Sequence, residues 1–257
     1  MATASAYQKA LAEQGMPEGL RNELMYSLAQ VYFLQEKYAD SLALIERWLK
    51  RVPKAGNEAS IFIAKVYYQQ QQYQRALPFA RRAVSAYENE NKRVPEHWYL
   101  LLNALYYELK DYRNSFKVTL ALINFYPKKI YYTQLSGLYG ELGQDFKQFS
   151  IQQALSDAGL LEKSSEWVGF SQFLLHNRCP FRAAQLLETG LEKGVVEGHE
   201  KNLKLLANAW LLAREDQRAL QPLAAAAKLS DDGELYMLLA QAYANLERWQ
   251  EAASSRA

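Results

Sequence analysis

The sequence predicts an all-α chain, a right-handed α-solenoid of about seven helix–turn–helix repeats, and three observations predict it. Turn-formers are scarce: 12 glycines and 7 prolines in 257 residues are too few for a strand-rich sandwich or barrel. Apolar residues make up 49% of the chain and charged residues 23%, the balance of a globular chain with a continuous core. Finally, the sequence repeats itself, with a small residue and two aromatics returning at a fixed spacing.

Residues 1–21 read as a partial helix that precedes the repeats. The first copy holds Ala29, Tyr32, Tyr38 and Ser41 and closes at Pro53; the second holds Ala64, Tyr67, Tyr73 and Ala76. A third reads Asn103, Tyr106, Tyr112 and Ser115 and closes at Pro127. The fourth runs from Leu135, Ser136 and Tyr139 to Phe146, with one extra residue expected in its turn. Trp167, Leu174, Phe181 and Ala184 mark the fifth, and Ala207, Trp210, Asp216 and Ala219 the sixth. The seventh reads Ala240, Tyr243, Trp249 and Ala252, after which too few residues remain for a full second helix. Repeat starts near 22, 57, 96, 129, 165, 200 and 233 give the period of about 34 of two-helix repeats, in a single domain over residues 1–257. The one long interval locates an insertion at Tyr87–Val94, expected as a lengthened surface loop or a helix extension.

Each recurring residue has a packing reason. A small residue on the first helix admits its partner closely, and the aromatic three positions later lies on the same face. The aromatic just past the turn fills space between repeats, and a small residue three further on admits the next helix. Proline at Pro53 and Pro127 stops the second helix because it lacks the N–H the ladder needs.

These residues make the sequence similar to the tetratricopeptide family over nearly its whole length. That resemblance implies a helical-repeat fold and a protein- or peptide-binding scaffold. The stretches at residues 98–112, 134–143 and 227–236 further resemble bacterial repeat proteins encoded beside the TonB–ExbB–ExbD energy-transduction genes. This closer resemblance implies a periplasmic accessory of TonB-dependent uptake with TonB-system components as partners; a cytoplasmic adaptor or a regulatory subunit of an enzyme or secretion assembly is the alternative.

Little in the chain points to catalysis, and no cofactor, metal site or catalytic residue is expected. The net charge is +2, and its basic residues, Lys50, Arg51 and Lys54, then Arg81, Arg82, Lys92 and Arg93, read as solvated helix ends, so no nucleic-acid partner is expected. No apolar run reaches the roughly 18 to 20 residues of a membrane span. The lone Cys179 has no second thiol, and His97, His176 and His199 fall in separate repeats without ligand spacing. Phosphate-binding glycine loops and nucleophile elbows are absent from the sequence. Gly137, Gly140 and Gly143 are spaced by three and read as positions of close helix approach or weakened helix.

A partner surface is expected on the face of each first helix that is opposite the packing face. Spacing places Tyr26, Gln30 and Phe33 there in the first repeat, Ile61, Lys65, Tyr68 and Gln69 in the second, and Leu100, Tyr107 and Glu108 in the third; later repeats offer Glu141, Phe173, His176, Asn177, Lys204 and Asn208, then Met237 and Gln241. Tyrosine gives a large contact area at little rotamer cost, so the aromatics of repeats one to three form the candidate binding set.

Overall fold

In a computed structural model that describes residues 2–230 and 233–255, the described residues form fifteen helices and no strand. A lone helix α1 (Ala2–Ala12) precedes α2 (Glu18–Leu34) and α3 (Tyr38–Arg51), the first pair. The next pairs are α4 (Asn57–Gln69) with α5 (Tyr73–Asn89), and α6 (Glu96–Glu108) with α7 (Tyr112–Phe125). Then follow α8 (Lys129–Glu141), α9 (Asp145–Asp157), α10 (Ser164–His176) and α11 (Pro180–Glu192). The last four are α12 (Glu200–Leu212), α13 (Asp216–Lys228), α14 (Gly233–Asn245) and the short α15 (Trp249–Ser254). The chain divides into two compact units, Met1–Gln148 and Phe149–Ala257.

Each unit has its own core. In the first, Ile45, Ile63, Trp98, Leu105 and Leu122 are fully enclosed; in the second, Leu187 and Trp210 are. The small residues do what their spacing requires. Ala29, Ala64, Ser41, Ala76 and Ser115 are at most 1% exposed, and the Ser41 hydroxyl donates to the Ala29 carbonyl at 2.7 Å, a distance only close helix approach allows. Where the third repeat has Asn103 in place of alanine, the side chain is satisfied inside the core. It accepts from Ser115 Oγ at 2.6 Å and donates to Thr119 Oγ1 at 3.2 Å.

The turns that join first to second helices share one geometry. In each, the residue after the helix cap has positive φ, and the next N–H reaches back to the aromatic or leucine carbonyl five residues earlier, as from Lys37 to Tyr32 and from Asp111 to Tyr106, at 2.9 and 2.8 Å. These residues are Glu36, Gln71, Lys110, Gly143, Arg178, Arg214 and Glu247, so glycine fills a left-handed position in only one of the seven hairpins.

Two sequence expectations need correction, and a third resolves into one of its two expected forms. The fourth repeat has no extra turn residue: Gln144 N bonds to Tyr139 O at 2.8 Å like its counterparts, Asp145 takes the aromatic's place, and Phe146 is 81% exposed. The insertion after Tyr87 takes the second of its two expected forms, a helix extension, and its tail is docked. Tyr87 packs on Trp98 at 4.5 Å, Val94 is 3% exposed, and the Tyr126 hydroxyl donates to the Val94 carbonyl at 2.7 Å. Arg81 and Arg82 lie in mid-α5 rather than at its end. Arg82 donates to the Ala55 carbonyl at 3.0 Å and to Ser60 Oγ at 2.7 Å, clamping the turn that leads into α4.

Candidate partner-binding surface

The residues expected to face a partner lie on α2, α4 and α6, the first helices of the first three pairs in the N-terminal unit. Charges on neighbouring helices act on several groups here. The Tyr26 hydroxyl is pushed up first by burial, then by the Glu58 carboxylate, while a hydrogen bond with Gln30 opposes this. Burial lowers His97, and Lys65 lowers it further. Tyr68 is raised by burial and then by the charge of Glu108 from the next repeat.

Burial divides the set. Gln30, Gln69, Tyr107 and Glu108 are exposed, Tyr26, Phe33, Lys65 and Tyr68 are half-buried, and Ile61, expected to face inward, is instead a core residue at 2% exposure. Tyr26 sits 5.2 Å from Trp48 and 5.4 Å from Phe62, and Phe33 lies 5.5 Å from Phe62, so these two rings brace α2 against α3 and α4 as well as facing outward. That departs from the expectation that inward rings stand clear of the helix interfaces.

The structure shows a pattern that sequence reasoning missed. The last turn of each of these first helices carries an aromatic that packs on the first residue of the following helix: Phe33 on Tyr38 at 5.2 Å, Tyr68 on Tyr73 at 5.3 Å, and Tyr107 on Tyr112 at 5.6 Å. The five-residue spacing crosses the hairpin turn, so neither helical period nor strand alternation reveals it. Tyr38, Tyr73 and Tyr112 therefore hold the candidate contact rings in place rather than serving only the core. In the fourth repeat the arrangement is exchanged. Gly140 stands where the aromatic would be and Gln148 where the small residue would be, and a Cβ at position 140 would lie 2.8 Å from Gln148 Oε1. The three spaced glycines thus have three different reasons. Gly143 has φ +67° in the turn, Gly140 makes room for Gln148, and nothing lies within 4 Å of a Cβ at Gly137.

The open space at Gly137 belongs to a cavity of about 370 Å³ between α6 and α8, lined by Leu100, Ala104, Tyr107, Glu108, Gly137 and Glu141 among others. It exists because Ala104 and Gly137 occupy the register that Gln30 and Lys65 fill with long side chains in the first two repeats. The Glu141 carboxylate accepts a hydrogen bond from Tyr112, which links the cavity wall to the aromatic pair. In the C-terminal unit, Lys204 and Asn208 line a cleft of about 470 Å³, where Lys204 pairs with Glu234 at 3.1 Å.

Chemistry-bearing groups stay apart. His97 lies in the first turn of α6, His176 ends α10, and His199 caps α12, its ring nitrogen accepting from Asn202 N at 3.4 Å. Cys179 precedes α11, with its Sγ directed to the Asn177 carbonyl at 3.5 Å. Among the described residues, no group of three or more His, Cys, Asp or Glu side chains is placed to hold a metal ion, and no helix is long and apolar enough to cross a membrane.

A family model of the tetratricopeptide repeat matches residues 3–56 and 26–91. The fold is of the tetratricopeptide type. Similar solved structures include the C-terminal part of a tetratricopeptide repeat protein from Cytophaga hutchinsonii, 12% identical, with a TM-score of 0.63 over 90% of this chain and 93% of that one. A tetratricopeptide repeat protein from Parabacteroides merdae is 16% identical, with a TM-score of 0.51 over 93% of this chain and 90% of that one. A chain in the structure of Naa15/Naa10 bound to HypK-THB is 18% identical with a TM-score of 0.59; the match covers 91% of this chain but only 36% of that one. At these identities the likeness is one of fold. No curated protein matches the sequence.

Proposed function

We propose that this tetratricopeptide-type chain is a non-catalytic scaffold that binds a protein or peptide on the inner face of its N-terminal unit. The observation that carries this reading is the repeated aromatic pair, in which a ring at the end of the first helix packs on a ring at the start of the second and, in the third repeat, stands exposed. Tyr107 is 50% exposed, with Tyr112 bracing it and a cavity beside it. A pre-positioned tyrosine loses little entropy on binding, which favours its use as an anchor. The fold is shared with a structure whose protein components are bound to one another, Naa15/Naa10 with HypK-THB, which agrees with a role in holding partners.

The test is a selection of peptides from a random phage-displayed library on the full chain, followed by titration of the enriched peptides. A Tyr68→Ala, Tyr107→Ala double substitution is expected to weaken them by more than about 1 kcal/mol. Unchanged affinity rejects the surface. The finer reading, a periplasmic accessory of a TonB system, is proposed on the three stretches that resemble such proteins. Recovery of TonB, ExbB or ExbD with the chain from an envelope extract supports it, and recovery of cytoplasmic assemblies alone favours the adaptor reading.

A further inference from the structure

We propose that the cavity between α6 and α8 is a pocket for a basic side chain, an arginine or lysine of the bound peptide; the inference rests on the scaffold reading above. Its chemistry is two-sided. The walls are apolar, with Leu100 at 38% exposure, buried Leu138 and the half-exposed Tyr107 ring, and they suit an aliphatic stem with a guanidinium lying over an aromatic face. The rim is anionic, formed by Glu108 and Glu141, and no lysine or arginine is among the residues that line the space.

Register makes this charge distinctive. Glu108 and Glu141 are the last residues of α6 and α8, and the same terminal position carries Leu34, Gln69, His176, Leu212 and Asn245 on the other first helices. Only the two helices that flank the cavity place an acid there. A carboxylate at a helix C-terminus adds to the negative end of the dipole, and neither last turn holds a basic residue to offset it. The two small residues that open the cavity, Ala104 and Gly137, fall in the same pair of repeats. Space, apolar lining and negative potential thus coincide, and together they are complementary to a long cationic side chain.

Two variants of the full chain test this on the random-library selection. Glu108→Gln with Glu141→Gln removes the charge and relieves the helix ends, so it folds at least as well; Gly137→Leu fills the cavity where a Cβ meets nothing within 4 Å and replaces a helical glycine, so it folds as well. Peptides enriched on the native chain are expected to carry a fixed arginine or lysine. Their affinity should fall about tenfold or more in each variant, with unchanged or raised melting temperature, and the arginine-to-glutamine peptide should lose as much. Enriched peptides without a basic position, or insensitive to both variants, overturn the pocket but leave the scaffold standing. Failure to enrich any peptide removes both.

Discussion

At the residue scale, two glycines in similar helical settings are expected to respond in opposite ways to one methyl group. Gly137 faces open space, so Gly137→Ala gains helix propensity without a clash and should raise stability by about 0.5–1 kcal/mol. Gly190 in α11 would place its Cβ 2.7 Å from Val196 Cγ2 and 3.1 Å from Trp167 Cε3. Both neighbours are buried, Val196 at 2% and Trp167 at 7% exposure, and neither can swing away. Gly190→Ala should therefore cost about 1–3 kcal/mol despite the same gain in propensity. Chemical denaturation of the two variants beside the native chain decides it, and equal shifts would contradict the packing described at Gly190. The aromatic set is graded by the same logic. Tyr107 is exposed and should be replaceable with little loss of stability, whereas Tyr26 is wedged between Trp48 and Phe62 and should not be.

At the element scale, the hairpins carry a removable strain. Lys110 closes α6 at φ +57° and Gln71 closes α4 at φ +56°, a region where a side chain crowds the neighbouring carbonyl. Glycine is free of that cost but adds entropy to the unfolded chain, so the net gain of Lys110→Gly is expected to be small, up to about 1 kcal/mol. A melt that shows destabilisation would mean the lysine side chain contributes more than its backbone strain. The helix pairs themselves were legible because their signals are local: the small residue, the aromatic three later and the aromatic past the turn lie within a dozen residues of one another. The fourth repeat misled for the same reason. Phe146 offered an aromatic near the right place, and only the Gln144 to Tyr139 hydrogen bond shows that the turn keeps its length.

At the scale of the whole molecule, stability divides between two units with separate cores, Met1–Gln148 and Phe149–Ala257. Elements in repeat arrays are held by their neighbours, so a unit with its own enclosed residues needs little from the rest of the chain. Residues 1–148 expressed alone are expected to keep helical circular dichroism and to melt cooperatively. A broad, non-cooperative melt would show that the first core depends on the second unit. The candidate binding surface and its cavity both lie within that first unit, so peptide binding should survive in it.

What the sequence determined by itself was the all-helical class and its helix-pair repeat, with the aromatics that recur in it. Those properties follow from spacing along the chain, which a helix converts directly into faces. Tertiary structure alone decided which of those aromatics are braced, where the insertion docks and where a cavity opens. Tyr107 becomes a held ring only when Tyr112 folds back across the turn, and Val94 becomes a core residue only when Tyr126 from the next helix pair covers it. The pocket requires Ala104 on one helix and Gly137 on another to face a common space. Neither is unusual in its own helix, and the void forms only because neighbouring helices leave both positions unfilled together.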